Sequence, residues 1–549
     1  METAPPETRF EARPRSDEAP APPASAESPP PAPPDQPGAE AGAASPTPAP
    51  APAPTPAPAP PDVTLEFAIE PEDAARLLRL SLLTGLKQGK ARVTAAHVVW
   101  HDSAGGELAR TGLALGEQRG GWRLERLVPD DNGGWPPVTA APVLAQARDS
   151  DALSLNLTGP LVAVAAFQGR QRSMALTADG APVTLDLIDG TLRAVTNERP
   201  ISRLRLTGAP CAAAALAFRL TDLVALGIPR AGLPAEALAV AHGDAPPPRH
   251  LGAPHIPPGV SVAEALTLVT AHLADVMLHW AERVPDADTP VPVHQMRVAT
   301  RRLRSALTIF RRAAGGPALA ELAPALRELA RDLGAARDWD VFLEDTGEAV
   351  RAAFPDDKRV AALLTAAGRK RDAAYVTLRA LLASPEYRRL ALTLALLPTL
   401  RPWLGEASAE QAELLAAPVE DYAARMLRRE LKKLRAHGDD LSGLPTPELH
   451  EIRKQGKRLR YAAEFFAPLF PQKAVRRFLE RLEKMQEAFG QLMDGYIAAQ
   501  LMAQLGGGAD RAFAAGVVQG YVAACGRDMM QDIARTWEKF LRQDPFWED

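Results

Sequence analysis

The chain has 549 residues, with 63 Lys and Arg against 67 Asp and Glu and a formal charge of −4. This near balance singles out no polyanionic partner, so the argument must come from where the charges lie. Two distant cysteines, Cys211 and Cys525, give no ground for a disulfide framework or a cysteine metal cluster, and no unbroken apolar run of roughly 18 residues is present, so no membrane helix is expected.

Length alone sets a prior of about three or four domains, fewer where part of the chain is disordered. Residues 1–61 form the first region. From Met1 to Arg15 the chain is charged and lacks the apolar core of a secretory signal, so the expected location is the cytoplasm. From about residue 11 to 61 it is mostly Pro and Ala, which removes backbone donors and leaves little apolar surface to offset ordering. A disordered, locally extended tail is expected.

Residues 62–245 change texture. Short alternating runs such as Val63–Phe67, Thr184–Arg193 and Ser202–Leu206 are broken by glycine turns, the pattern of antiparallel strands. Two helical patterns interrupt them, near Pro71–Leu83 and Cys211–Leu226. An α+β domain built on an antiparallel sheet follows.

Residues 246–549 form an all-α region, with Ala, Leu, Arg and Glu at helical period from about 260 to 540. Breaks at Pro and Gly divide it into roughly eight to ten helices. Residues 291–500 carry 35 Lys and Arg against 27 Asp and Glu, so the basic surplus sits here and is masked in the whole-chain charge.

Two stretches of this half repeat one another. His294-Gln-Met-Arg297-Val-Ala-Thr-Arg301-Arg302-Leu-Arg304 is followed 156 positions later by His450-Glu-Ile-Arg453-Lys454-Gln-Gly-Lys457-Arg458-Leu-Arg460-Tyr461. Each begins with His and places basic residues three, seven, eight and ten positions on. At 100° per residue, offsets 0, 3, 7 and 10 fall within an arc of about 80°, a stripe about 15 Å long. The opposite face is apolar, with Met296, Ala299, Leu303, Ala306 and Leu307 in one copy and Ile452, Leu459, Ala462, Ala463 and Phe466 in the other. That face belongs in the core, so the basic stripe is displayed on a rigid support. Stacked like charges repel by a few tenths of a kcal/mol per pair, and few acids sit on the stripe to relieve them. Such a face invites a polyanion, since arginine matches phosphate oxygens with two parallel donors. Histidine adds a donor whose charge responds near neutrality. Two copies in register suggest two bundle halves related by a pseudo-two-fold axis, with the stripes converging across it.

Arg428, Arg429, Lys432, Lys433 and Arg435 mark a second cationic helix, to which Arg425 adds. Arg369–Arg371 reads as solvated surface. Arg337-Asp338-Trp-Asp340 reads as an internal ion-pair and cap feature, because a carboxylate neutralises a paired arginine.

These segments resemble the CHAD family, the conserved histidine α-helical domain. The matching stretches are His294–Arg304, Leu333–Val341, His450–Tyr461 and Met485–Asp494. The resemblance, over about 250–544, implies two pseudo-symmetric helical bundles around a basic channel that binds inorganic polyphosphate, in association with polyphosphate granules. By resemblance His294, Arg297, Arg301, Arg304, His450, Arg453, Lys457 and Arg460 line that channel. Arg302, Lys454, Arg458, Arg428 and Lys432 are taken with them as the candidate polyphosphate-binding set. No catalytic residue, metal ligand or cofactor is expected there.

Residues 62–245 are similar to a CYTH domain, the triphosphate tunnel fold, through Trp100-His-Asp-Ser, Leu108–Leu115, Gly121-Trp122, Ile188–Arg193 and Ile201–Leu206. A catalytic tunnel needs carboxylates to hold Mg²⁺. Here the family's opening motif falls at Asp62-Val-Thr-Leu-Glu66 and is largely lost, while Arg203 and Arg205 replace late paired glutamates. Arginine cannot ligate a metal, so an inactive tunnel is expected. The alternatives are a metal-dependent triphosphatase of the CYTH type and a nucleic-acid-binding protein. The missing carboxylates weigh against the first, and the lack of aromatic residues on the stripes weighs against the second.

Overall fold

The computed structural model describes residues 61–548 apart from 129–136, 154, 156, 196, 230–231, 243–249, 442 and 506. The tail expected at 1–61 lies, except for its last residue, outside the described residues.

Among the described residues nine strands form one antiparallel sheet: β1 (Val63–Ile69), β2 (Arg92–Ser103), β3 (Leu113–Gln118), β4 (Gly121–Arg126), β5 (Val143–Ala147), β6 (Leu161–Ala178), β7 (Ala181–Ala194), β8 (Glu198–Gly208) and β9 (Leu226–Gly227). Their order is β5-β4-β3-β2-β6-β7-β8-β1-β9. The chain entering β5 also runs along the free edge of β1, through Glu66 N–H to Val138 O at 2.8 Å and Ala140 N–H to Thr64 O at 2.9 Å. This segment bridges the β1 side of the sheet toward β5 and covers part of the edge of β1. The long β6–β7 hairpin turns at Asp179-Gly180, both left-handed with φ of 48° and 79°, the geometry that matches strand twist.

Five helices accompany the sheet: α1 (Pro71–Leu77), α2 (Ser81–Leu86), α3 (Glu107–Arg110), α4 (Pro210–Thr221) and α5 (Leu233–His242). The helical pattern expected over Pro71–Leu83 is split in two, and the one near Cys211–Leu226 ends at Thr221, with Leu226 in a strand. Helix α5 was not legible in the sequence. It packs among Trp100, Phe167, Ile188 and Leu192, filling one part of the barrel interior. Alternation puts Leu65, Phe67, Leu204 and Leu206 on the outer face, where they join one continuous apolar core with α4 and the helical region.

That region contains α6 (Val262–Ala281), α7 (Val291–Phe310), α8 (Pro317–Val341), α9 (Glu348–Ala353), α10 (Lys358–Leu382), α11 (Pro385–Leu400), α12 (Pro402–Gly405), α13 (Ala409–Ala416), α14 (Val419–Arg435), α15 (Thr446–Phe466), α16 (Gln472–Leu505) and α17 (Ala509–Leu541). Without the short α9, α12 and α13, the nine remaining helices fall in the expected range. Helix α6 is long and apolar enough to cross a membrane by those two criteria, and 72% of its most apolar stretch is buried inside the bundle. Its capping box is complete, with Ser261 and Glu264 each bonding the other's backbone N–H. Helices α7 and α15, which carry the two repeats, pack against each other at the centre of the helical region.

Candidate anion-binding cleft

The apolar faces of α7 and α15 are buried as their periodicity requires, with Met296, Ala299, Leu303, Ile452, Leu459 and Phe466 at 1% exposure or less. This anchors the basic faces. Between them and the start of α8 opens a cavity of about 540 Å³. Seven cationic side chains line it: Arg301, Arg304, Arg311, Arg327, Lys454, Lys457 and Arg458. No carboxylate is among the lining residues; the rest are small, apolar or hydroxylic, such as Ser305, Thr308, Leu319 and Tyr461.

Tyr461 orders one wall. Its hydroxyl accepts a hydrogen bond from Arg301 Nε at 2.6 Å, and its ring lies 5.6 Å beneath the Arg301 guanidinium, a cation–π geometry. Lys454 is paired with Glu451 at 2.5 Å, and Arg458 approaches Glu430 at 3.7 Å. Among the described residues no carboxylate lies within ion-pair distance of Arg301, Arg304, Arg311, Arg327 or Lys457. The amine of Lys457 is pushed down to about 6, first by burial and then by Arg301, Arg453 and Arg297.

Deeper along the stripes the expected pseudo-two-fold relation is visible in detail. Arg297 contacts Asp338 at 3.5 Å and Arg453 contacts Asp494 at 3.6 Å, partners at equal sequence separation. Gly334 and Gly490 stand at matching positions, and a Cβ on either would sit 3.8 Å from the Arg297 or Arg453 guanidinium. Burial raises the carboxyls of both Asp338 and Asp494 despite these arginines. His294 and His450 are exposed at the start of the stripes. Burial and neighbouring cations, led by Arg337 for one and Lys454 for the other, lower both imidazoles. In the free protein both histidines therefore lose their charge at a lower pH than the unperturbed residue.

Not every candidate reaches the cleft. Arg302 turns to Glu464 at 2.8 Å and to the Gly252 carbonyl. Arg460 is held by Glu464 and Glu483, each at 2.8 Å. Arg428 pairs with Glu548 at 3.5 Å, and Lys432 is exposed on α14; neither lines the cavity. Arg337 bonds Glu344 at 3.0 Å and reaches Asp340 at 4.0 Å, the internal pairing expected of it. Arg371 departs from its solvated-surface reading. It donates to the buried Asp340 at 2.6 Å, and Tyr375 donates to the same carboxylate at 2.9 Å. A π-helical turn follows at Phe342–Gly347.

Sequence reasoning missed Arg311 and Arg327. Arg311 lies seventeen positions past His294, close to the edge of the same stripe, and was within reach. Arg327 comes from α8 and becomes part of the site only when that helix packs beside α7.

In the barrel, Glu66 is 2% exposed and committed to internal partners. It accepts from Arg205 Nε at 2.8 Å and the Leu233 N–H at 3.3 Å, and it lies 3.6 Å from Arg203. Arg203 also pairs with Glu236 of α5 at 2.5 Å. The two arginines that replace expected carboxylates thus neutralise the surviving one.

A helical region with two in-register basic repeats meeting at a cleft defines a class, and the comparisons give it a name. Residues 267–503 match the family model of the CHAD domain, and this part of the chain is a CHAD domain. The sheet domain before it is consistent with a CYTH-like tunnel. Two uncharacterised proteins of Mycobacterium tuberculosis, from strains CDC 1551 and H37Rv, are each 35% identical over 208 residues, covering 37% of this chain and 39% of theirs. The chain thus spans about two fifths of the length of these relatives. The CHAD domain from the plant Ricinus communis is 28% identical, with a TM-score of 0.44 over 53% of this chain and 96% of that one. PptA from Streptomyces chartreusis is 17% identical, with a TM-score of 0.40 over 51% of this chain and 100% of that one.

Proposed function

We propose that the cleft binds inorganic polyphosphate and that the protein associates with polyphosphate granules in the cytoplasm. The observation that carries this reading is the cavity lined by seven cations and no carboxylate. Orthophosphate neutralises two of these at most. A chain of linked phosphates presents a charge at every unit and can follow the cations of the cavity wall from Arg327 and Arg304 to Arg301 and Lys457. The CHAD identity of residues 267–503 supports the same ligand. Nucleic acid is a poorer fit, because Tyr461 is the one aromatic ring in the lining and Arg301 and Arg302 already stack on it.

The test is titration calorimetry with long-chain polyphosphate, tripolyphosphate, orthophosphate and single-stranded RNA at fixed salt. The polymer should bind at least tenfold tighter than tripolyphosphate, and orthophosphate should not compete. Log affinity should fall linearly with log salt, with a slope that shrinks by about one for each cation removed. Equal affinity for orthophosphate and polymer, or displacement of polymer by RNA at matched charge, would sink the reading. In cells, a fluorescent fusion should sit on polyphosphate granules and disperse when the cleft is reversed in charge.

A further inference from the structure

Lys457 differs from every other cation of the cleft. It lines the cavity and is reachable from solvent, yet only a minor part of it is exposed. Among the described residues it has no hydrogen-bond or ion-pair partner, whereas Lys454, one turn earlier, is paired with Glu451. Its surroundings are cationic: Arg297 and Arg301 face it from α7, and Arg453 from its own helix. Asp494 of α16 is the acidic group in range, and it is engaged by Arg453 at 3.6 Å. Desolvation and the neighbouring cations both favour the neutral, nucleophilic form of an amine so placed.

We propose that Lys457 is a site of self-acylation by small acyl phosphates, the guanidinium groups of the cleft holding the phosphate while the amine attacks the acyl carbon. The balance is simple. The neutral amine nitrogen forms a bond to the carbonyl carbon, and the carbon–oxygen bond to phosphate breaks with its electron pair. The amine proton passes to the departing phosphate, leaving an amide and hydrogen phosphate. Arg301, which lines the same cavity as Lys457 and keeps its terminal nitrogens free of carboxylates among the described residues, matches the dianionic leaving group by charge and by paired donors. The product amide carries no charge and occupies the middle of the cationic slot. Acylation would therefore weaken any polyanion bound there, although the reaction itself does not rest on polyphosphate being the ligand.

At pH 7 an amine titrating at about 6 is about nine-tenths neutral, against fewer than about one in a thousand for an ordinary lysine. The experiment incubates the full chain with acetyl phosphate between pH 6 and 9 and follows each lysine by mass spectrometry, with Lys454 as internal reference. Lys457 should be acetylated at least tenfold faster than Lys454 at pH 7, with a rate that levels off by pH 7 while that of Lys454 keeps rising. Arg301→Gln should slow acetyl phosphate at Lys457 by about tenfold or more and an uncharged succinimidyl ester by clearly less, since losing Arg301 also restores part of the amine's proton affinity. Orthophosphate should protect Lys457 from acetyl phosphate alone. Equal rates at Lys457 and Lys454 with both reagents would overturn the proposal, as would an Arg301→Gln variant that slows neither reagent or slows both by the same factor. Binding of polyphosphate is not needed for any of these readouts, so a failure here is separable from a failure of the binding reading.

Discussion

Arg304 and Arg460 occupy the same step of the repeat, ten residues after His294 and His450, yet they end in opposite circumstances. Arg304 is exposed and lines the cavity, with Arg327 the neighbouring charge that disfavours its own. Arg460 is clamped between Glu464 and Glu483. Carrying the 156-residue offset onward shows why. The position equivalent to Glu464 is Thr308, and the position equivalent to Glu483 is Arg327. One half of the bundle braces its arginine with two carboxylates. The other half replaces both, one by a hydroxyl and one by a further cation. The same helical frame thus yields a sealed ion-pair cluster on one side and an open basic cavity on the other. Fold symmetry and site asymmetry are set by different residues.

Exchanging these residues is the most direct way to break the comparison. Thr308→Glu with Arg327→Glu, which gives the first half the acids of the second, should lower polyphosphate affinity by about a hundredfold. Circular dichroism should show the helices intact. The single substitutions come next. Arg304→Ala should cost about tenfold in affinity with an unchanged Tm. Arg460→Ala should instead lower stability by about 0.5–1 kcal/mol, because Glu464 keeps Arg302 as a partner and Glu483 is half exposed to water, and leave affinity within about twofold. Equal losses of affinity for the two variants would mean that both halves bind.

A third expectation concerns pH. The amine of Lys457 titrates at about 6 in the free protein, and bound phosphate must raise it, so binding takes up a proton across the window above that value. Affinity should therefore be greatest below pH 6 and decline by about tenfold between pH 6 and 8. His294 and His450 are lowered in the free state and add in the same sense. Protonation of Asp338 or Asp494, whose carboxyls are raised, releases Arg297 and Arg453 and also favours the anion at low pH. Calorimetry in buffers of different ionisation enthalpy measures the proton uptake directly.

The smallest expected effect bears on stability. Lys457 is held below its unfolded value near 10.4, so the unfolded chain binds more protons between about 6 and that value. Its destabilising contribution is thus greatest at low pH and fades as pH rises through the window. Lys457→Met should raise stability at pH 7 by about 1–3 kcal/mol while weakening polyphosphate binding. A Tm that falls would show that the amine is satisfied by a partner.

The two stripes were legible because helical period is a property of single segments, and the burial of Met296, Leu303, Ile452 and Leu459 confirms the face assigned to each. The antiparallel sheet was legible from alternation for the same reason. What the sequence hid depends on which segments meet. Nothing local separates Arg302, facing Glu464, from Arg301, facing the cavity, beyond a rotation of one residue. Arg371 looked like one of three adjacent surface cations until α8 brought the buried Asp340 to it. Helix α5, with only ten residues and Pro234 near its start, gave too short a signal to compete with the loops around it. Its role inside the barrel is a matter of topology.

The outer wall of the barrel and the core of the bundle share one continuous set of buried side chains, in which Leu65, Phe67 and Leu206 join the cluster that holds Leu266, Met296 and Phe466. Arg389 of α11 adds a tie to Asp222 just beyond α4, at 2.9 Å. Modules linked this way have no hinge between them. A cavity opened in the barrel wall is therefore felt by the helices that carry the cleft as well as by the strands. Loss of the barrel wall would loosen the cleft without touching any residue that lines it.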